Sequence, residues 1–279
     1  MRTNDHTRRD FLKAIALGTA AISLPRVLLA AEESKTKPFS IVQICDTQLG
    51  FGGYEHDVNT FKQAVKQINA IKPDFALICG DLVNERNEKS FADFNKIKAG
   101  LIVPCYCVSG NHDVGNKPTR ESLQYYRKVV GKDYYAFEHK GYVFVIVNTQ
   151  LWKASVKDES KKHDSWLEAT LETAANKGSR IFVVGHHPLF LKKPDEGEKY
   201  FNMPPAKRKE LLSLFEKRGV VAVLGGHTHR LLINDYKSIQ LVNGETTSQN
   251  FDKRPFGFRV WHLMDSRPLK HDFVSLEGF

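Results

Sequence analysis

Short, wholly apolar runs alternate along this chain with longer segments whose apolar residues return every three or four positions. Ser40 to Cys45, Asp74 to Cys79 and Val103 to Val108 are of the first kind and predict strands buried on both faces. Between the first two, Val58, Phe61, Val65, Ile68 and Ile71 fall on one face of a helix over 58–71. Phe91 to Ile97 predicts a shorter helix. Such alternation argues for parallel βαβ units. Tyr134 to Phe137 and Tyr142 to Asn148 predict a hairpin turning at Lys140-Gly141, Ser165 to Asn176 a helix, and Ile181 to Val184 and Val220 to Leu224 further buried strands. Another helix ends near Arg218. From Leu231 the pattern changes. Leu231 to Tyr236, Ile239 to Val242, Phe258 to Met264 and Leu269 to Val274 are short strands with little helix between them, which predicts an antiparallel sheet completing the same α/β domain.

The segment ahead of this pattern is of another kind. A basic start is followed by an apolar stretch from Ala14 to Leu24 and then Pro25-Arg26. Eleven residues are too few to cross a hydrocarbon core of roughly 30 Å, so no stable membrane span is expected. Thr7-Arg8-Arg9-Asp10-Phe11-Leu12-Lys13 resembles the twin-arginine export signature. The resemblance implies a signal peptide over 1–30, a linker over 31–37 and a single domain over 38–279. It further implies dealings with the twin-arginine export machinery and a bacterial periplasmic or secreted location.

Composition narrows the classes. With 41% apolar and 26% charged residues in 279, the chain is neither disordered, nor a fibre, nor a polytopic membrane protein. Four cysteines do not build a disulfide scaffold. Cys105 and Cys107 project to one face of a strand and read as packing residues, and all four are expected as free buried thiols. The net charge of +9 raises a nucleic-acid partner. Five of the Lys and Arg residues lie within 1–30, however, and no long basic stripe with interleaved aromatics follows. No nucleic acid is expected.

The candidate chemistry sits where apolar runs end. Ile41 to Cys45 leads to Asp46-Thr47-Gln48, and Phe75 to Cys79 to Gly80-Asp81. Cys105 to Ser109 leads to Gly110-Asn111-His112-Asp113, and Ile181 to Val184 to Gly185-His186-His187-Pro188. Val220 to Leu224 leads to Gly225-Gly226-His227-Thr228-His229. Each alone reads as a turn or a cap. Together they are potential metal ligands at the carboxyl ends of five strands, where open sheets place their sites.

In this order the motifs resemble the calcineurin-like metallophosphoesterase superfamily. The resemblance implies a four-layer α/β/β/α sandwich with mixed sheets and two divalent ions. Asp46, Gln48, Asp81 and His229 would hold one ion and Asp81, Asn111, His186 and His227 the other. The implied chemistry is attack on phosphorus by a hydroxide shared between the metals, with His112 protonating the leaving group. Asp113 either orients His112 or caps the following turn. An oxygen and nitrogen donor set without thiolate suits Mn, Fe or Zn. Gln48, where most of the superfamily has His, tilts the balance towards Mn. Gln48, the Tyr200-Phe201-Asn202 segment and Gly257-Phe258-Arg259-Val260 resemble the calcineurin-like phosphoesterase domain-containing protein 1 branch. His187 and the Tyr200-Phe201-Asn202 segment, which follows a ligand strand, are candidates for contacting substrate. The alternatives are a packed histidine and an ordered surface loop.

The expected reaction is hydrolysis of a phosphomonoester, either a phosphorylated small molecule or a phosphoprotein. The alternatives are a nucleotide-type diphosphatase or phosphodiesterase of the ADP-ribose or CDP-alcohol class, and a non-catalytic metal- or ligand-binding protein.

Overall fold

The computed structural model describes residues 37–264 and 269–279. The expected signal segment lies outside the described residues. In chain order the elements are β1 (Phe39–Ile44), α1 (Tyr54–Ile71), β2 (Phe75–Cys79), α2 (Glu88–Lys98), β3 (Cys105–Val108), α3 (Asn111–Val114) and α4 (Arg120–Val129). There follow β4 (Tyr135–His139), β5 (Tyr142–Ile146), α5 (Gln150–Lys153), α6 (Lys157–Asn176), β6 (Arg180–Val184), α7 (Pro205–Lys217) and β7 (Val220–Gly225). The last four are β8 (Leu232–Tyr236), β9 (Ile239–Asn243), β10 (Gly257–Leu263) and β11 (Lys270–Ser275).

Two mixed sheets result, one ordered β11-β10-β1-β2-β3 and the other β4-β5-β6-β7-β9-β8. The apolar runs explain why the sheets stack. Successive side chains of a strand leave opposite faces, and here both faces are buried. Ile41, Phe75 and Leu77 meet Phe144, Phe182, Val184 and Trp261 in a core between the sheets. Val42, Ile44, Ala76 and Ile78 face the other way, under Phe61 and Ile68 of α1, Phe91 and Phe94 of α2, and Leu123 and Tyr126 of α4. On the far side, Val143, Val145, Ile181 and Val183 pack beneath Leu167 and Leu171 of α6 and Leu211 and Phe215 of α7. The layers are therefore helix, sheet, sheet, helix. Gln43 ties the two sheets behind the strand ends. Its Nε2 donates to the carbonyls of Gly225 (2.9 Å) and Val242 (3.1 Å), while its Oε1 accepts from Trp261 Nε1.

The hairpin turns at Lys140-Gly141, where both residues have positive φ (46° and 79°), as a two-residue turn matched to strand twist requires. Two expectations need correcting, and one helix had no strong apolar pattern to predict it. The C-terminal strands do not form one antiparallel sheet: β8 and β9 join the second sheet, with β9 parallel to β7, and β10 and β11 join the first. Phe258 and Val260 pack under the helices beside β1, and Trp261 and Leu263 pack between the sheets, so β10 is drawn to the first sheet by both of its faces. Helix α4 carried too few apolar residues to stand out, since only Leu123 and Tyr126 are buried, and it is marked instead by the Thr119–Ser122 capping box. Ile71, expected on the buried face of α1, is 37% exposed. All four cysteines are free thiols; Cys45, Cys79 and Cys107 are buried and Cys105 is half-buried. Among the described residues no helix is long and apolar enough to cross a membrane.

Candidate metal centre

The strands end in an unusual way. Asp46, Gln48, Asp81, His227 and His229 all have positive φ, between 31° and 71°. A left-handed conformation costs a residue other than glycine on the order of 1–2 kcal/mol, so the surrounding fold must hold these residues there. Close packing of glycines is part of how it does so. A Cβ on Gly110 would lie 2.1 Å from Asp81 Oδ1, and one on Gly226 would lie 2.6 Å from Asp46 Oδ2. The glycines ahead of Asn111 and His227 thus let neighbouring chain press directly against the two carboxylates.

The carboxyl ends of β1, β2, β3, β6 and β7 meet at one place. His186 Nε2 lies 3.2 Å from Asp81 Oδ2 and 3.2 Å from Asn111 Oδ1. One ligand atom from each of Asp81, His186 and His227 falls within 4.8 Å of the others. On the other side of His186, Asp46 Oδ1 is 4.0 Å from His186 Nδ1 and 3.6 Å from His229 Nε2. Asp46 also accepts the His227 amide, at 3.0 Å and 2.9 Å on its two oxygens. The Gln48 main-chain N–H donates to the Asp81 carbonyl at 2.8 Å.

The imidazoles are oriented by the main chain. His186 Nδ1 donates to the Cys79 carbonyl (2.8 Å), His229 Nδ1 to that of Gln249, and His112 Nδ1 to that of Asn84 (3.0 Å). A carbonyl can only accept, so the Nδ1 of these three carries the proton and Nε2 is left to act elsewhere. Backbone partners of this kind fix the tautomer of a ligating histidine. Asp113 has no bond to the His112 ring among the described contacts. Its carboxylate accepts the amides of Gly110 (2.7 Å), Leu82 (2.9 Å) and Val83 (3.3 Å), which braces the loop carrying Asp81. It caps the turn and supports the centre from behind.

Charge in this pocket is tightly coupled. Burial pushes the Asp46 carboxyl up, against the pull of His229 and His186. Burial acts on Asp81 in the same direction, yet the adjacent His186 imidazole outweighs it and holds that carboxyl well below the usual range. Burial disfavours a charged His186, but Asp81 and Asp46 raise it to about 10. Burial and the neighbouring imidazoles keep His187 and His227 well below the ordinary histidine value.

The residues fit divalent cations. Asp46 and Asp81 are buried with only imidazoles as counter-charge among the described ion pairs. Gln48 Oε1 and His227 Nε2 are buried acceptors with no hydrogen-bond partner among the described residues, and groups of that kind are rare unless something else satisfies them. Oxygen and imidazole donors without sulfur suit borderline to hard ions.

Around the centre, the candidate substrate residues divide. The Tyr200 hydroxyl accepts from Asn111 Nδ2 at 3.4 Å, and the rings of Tyr200 and Phe201 stand 5.2 Å and 5.3 Å from that of His227. Asn202 is buried and spends both polar atoms inside its own turn, on Lys199, Glu196 and Gly197. The His187 ring lies 4.0 Å from that of His227, tilted by 44°, and shares a 2.9 Å hydrogen bond with Thr149 Oγ1. Several contributors had no signal of their own in the sequence. Phe51 and Phe251 flank His229, with ring centroids at 5.1 Å and 5.0 Å. Lys153 Nζ donates to the carbonyls of Lys199, Tyr200 and Asn202 and so pins the Tyr200 turn. Asn84 was marked only by following Gly80-Asp81 closely.

Comparison with known proteins agrees with this geometry. The sequence profile of the calcineurin-like phosphoesterase family matches residues 39–231. The chain is 35% identical over 276 residues to the serine/threonine-protein phosphatase CPPED1 of Danio rerio, covering 89% of each. It is 33% identical over 266 residues to the Bos taurus protein of the same name, covering 86% of this chain and 84% of the relative. A crystal structure of a dimetal phosphatase from Danio rerio superposes with a TM-score of 0.64 at 17% identity, covering 84% of this chain and 95% of that one. The chain belongs to the calcineurin-like phosphoesterase family. It is a hydrolase that cleaves phosphoesters with the help of metal, in a family that uses a dinuclear divalent centre.

Proposed function

We propose that this enzyme is a phosphomonoesterase whose substrates include phosphorylated serine or threonine side chains. The observation that carries the reading is the convergence of donors from five strand ends around two buried acceptors, Gln48 Oε1 and His227 Nε2, that have no hydrogen-bond partner among the described residues. The serine/threonine-protein phosphatase relatives supply the substrate class. In this reading Asp46, Gln48, Asp81 and His229 hold one divalent ion, and Asp81, Asn111, His186 and His227 hold the second. Bound there, the ions would acidify water and neutralise charge on the phosphoryl oxygens. Asp81 would serve both positions, and its contact with the His112 amide ties that residue to it. His112 gives a proton from Nε2 to the departing oxygen, while Nδ1 stays on the Asn84 carbonyl. Tyr200, whose hydroxyl lies beside Asn111, would face the entering phosphate. The amide oxygen of Gln48 is a harder donor than imidazole, which favours Mn at the first position.

The substrate class is tested with the Mn²⁺-loaded enzyme on a phosphoserine peptide, p-nitrophenyl phosphate, bis-p-nitrophenyl phosphate and CDP-choline. The expected order places both monoesters ahead. Preferred cleavage of the diester or of CDP-choline would replace this reading with the nucleotide-type one. Binding of metal without turnover on all four would leave a binding protein.

We also propose export in the folded state, supported by Arg8-Arg9 ahead of Phe11-Leu12-Lys13 and the short apolar stretch that follows. Replacing both arginines by lysine should move phosphatase activity from the periplasm to the cytoplasm of a bacterial host. An unchanged distribution of activity would refute it.

A further inference from the structure

Two loops beside the metal centre each carry a phenylalanine that is not fully buried. Phe51 lies between β1 and α1, and its amide donates to the Gln48 carbonyl at 3.0 Å. Phe251 lies between β9 and β10, and its amide donates to the His229 carbonyl at 3.0 Å. The main chain thus ties both to residues proposed to hold the first ion. The Phe51 ring is 5.1 Å from that of His229 and 6.2 Å, edge to face, from that of His112. The Phe251 ring is 5.0 Å from His229 and 6.2 Å from Phe51. Phe51 is half-buried and Phe251 is 39% exposed. A single exposed phenylalanine is ordinary, but here two rings form a continuous apolar run that begins at His112.

The two loops are braced against each other. Asp57 of α1 is buried, and its Oδ2 accepts the amides of Gly50 (2.9 Å) and Gly52 (3.0 Å) while its Oδ1 accepts the Ser248 hydroxyl (2.7 Å). The Gly52 amide lies 3.2 Å from Ser248 Oγ as well. One carboxylate therefore holds the segments on which both phenylalanines sit. A surface ordered in this way by the fold asks little further ordering of itself when a ligand arrives.

We propose that Phe51 and Phe251 select the substrate, by receiving an apolar side chain two residues from the phosphorylated serine or threonine. The proposal rests on the phosphomonoesterase reading, in which His112 gives its proton to the departing oxygen. That oxygen, with the peptide it belongs to, then leaves on the His112 side, where Phe51 is the neighbouring ring. In an extended peptide alternate side chains leave the same face, roughly 6.6 Å apart. A phosphoserine directed at the centre thus turns the side chains two positions away towards the same surface, at about the spacing from His112 to Phe51. An apolar side chain gains there by leaving water. A polar one gives up its hydration to rings that offer little in return.

The test uses the full chain loaded with Mn²⁺ and two alanine-based heptapeptides with a central phosphoserine. One carries leucine, the other glutamine, at both positions two residues from it. The leucine peptide should be cleaved with kcat/KM about tenfold higher, and the ratio should fall to within roughly twofold of one in Phe51→Ala and in Phe251→Ala. Equal cleavage of both peptides by the unmodified chain would overturn the proposal and leave the phosphomonoesterase reading standing. Variants that lose rate equally on both peptides would also overturn it, since the rings would then only support His229. A second measurement needs neither turnover nor variants. The same peptides with a phosphonate, in which CH₂ replaces the ester oxygen, should bind the unmodified chain in the same order, with Kd values about tenfold apart. Equal affinities would overturn the proposal. Tighter binding of the leucine phosphonate without cleavage of either ester would support it and overturn the phosphomonoesterase reading instead.

Discussion

The main-chain amide of His112 donates to Asp81 Oδ1 at 2.9 Å, so the residue we propose as the proton donor is tied by its backbone to the carboxylate at the middle of the centre. The tie does not depend on the imidazole. His112→Ala should therefore leave metal content unchanged while kcat falls by about 10²–10⁴, the usual worth of a positioned proton donor. Metal analysis together with steady-state kinetics on a phosphomonoester checks both halves. An unaffected rate would remove His112 from the mechanism.

Asp113 acts one step further out. Its two oxygens accept three backbone amides, and Gly110 and Leu82 are immediate neighbours of Asn111 and Asp81. In Asp113→Asn one of those oxygens becomes an NH₂ group facing an N–H donor, which it cannot satisfy. Metal affinity should drop by about 10–100-fold, as for other supports of ligating groups. Calorimetric titration with Mn²⁺ measures this directly, and affinity within twofold of the parent would mean that the loop holds Asp81 without help.

Lys153 should act on substrate binding more than on chemistry. Its ammonium donates to three carbonyls of the 199–202 turn, at 3.3, 3.0 and 2.7 Å, and burial lowers its pKa. Lys153→Met keeps the stem and removes the donors. Loss of roughly 1–2 kcal/mol of hydrogen bonding should loosen Tyr200 and raise KM by about five- to twentyfold with kcat little changed. A fall in kcat at constant KM would instead place Lys153 at the reacting atoms.

These residues mark the boundary of what the sequence makes legible. Asp46, Asp81, Asn111, His186, His227 and His229 could be picked out because each follows a complete apolar run, and a parallel sheet brings the ends of such runs to one side. Nothing comparable announces Lys153, Phe51 or Phe251. They reach the centre from a short helix and from loops, and their positions depend on tertiary packing alone. The same holds for Asn202, whose place beside Tyr200 suggested the pocket, although its polar atoms serve the turn. The C-terminal strands illustrate the point on a larger scale. Short apolar runs announce strands, but which sheet each joins is decided by the two faces it can fill, as with β10.

A pH-dependent contribution to stability comes from His163 on α6, away from the centre. The ring is buried among Tyr134, Trp152 and Trp166, and its Nε2 accepts the Asn148 amide at 3.3 Å. Burial lowers its pKa from 6.5 to about 4, with Asp164 and Asp133 only partly opposing the shift and Lys207 adding to it. The folded protein therefore keeps this histidine neutral where the unfolded chain protonates it. The unfolded state binds the extra proton below pH 6.5, so the contribution is complete above that pH and is lost as the pH falls towards 4. The difference amounts to roughly 3 kcal/mol over that window. Urea unfolding at steps between pH 7 and pH 4 should show the native chain losing stability along this limb. His163→Leu should lose about 3 kcal/mol less over the same range, even if it starts lower at pH 7 for want of the Asn148 bond. Parallel curves for the two proteins would show that His163 is not the group that titrates.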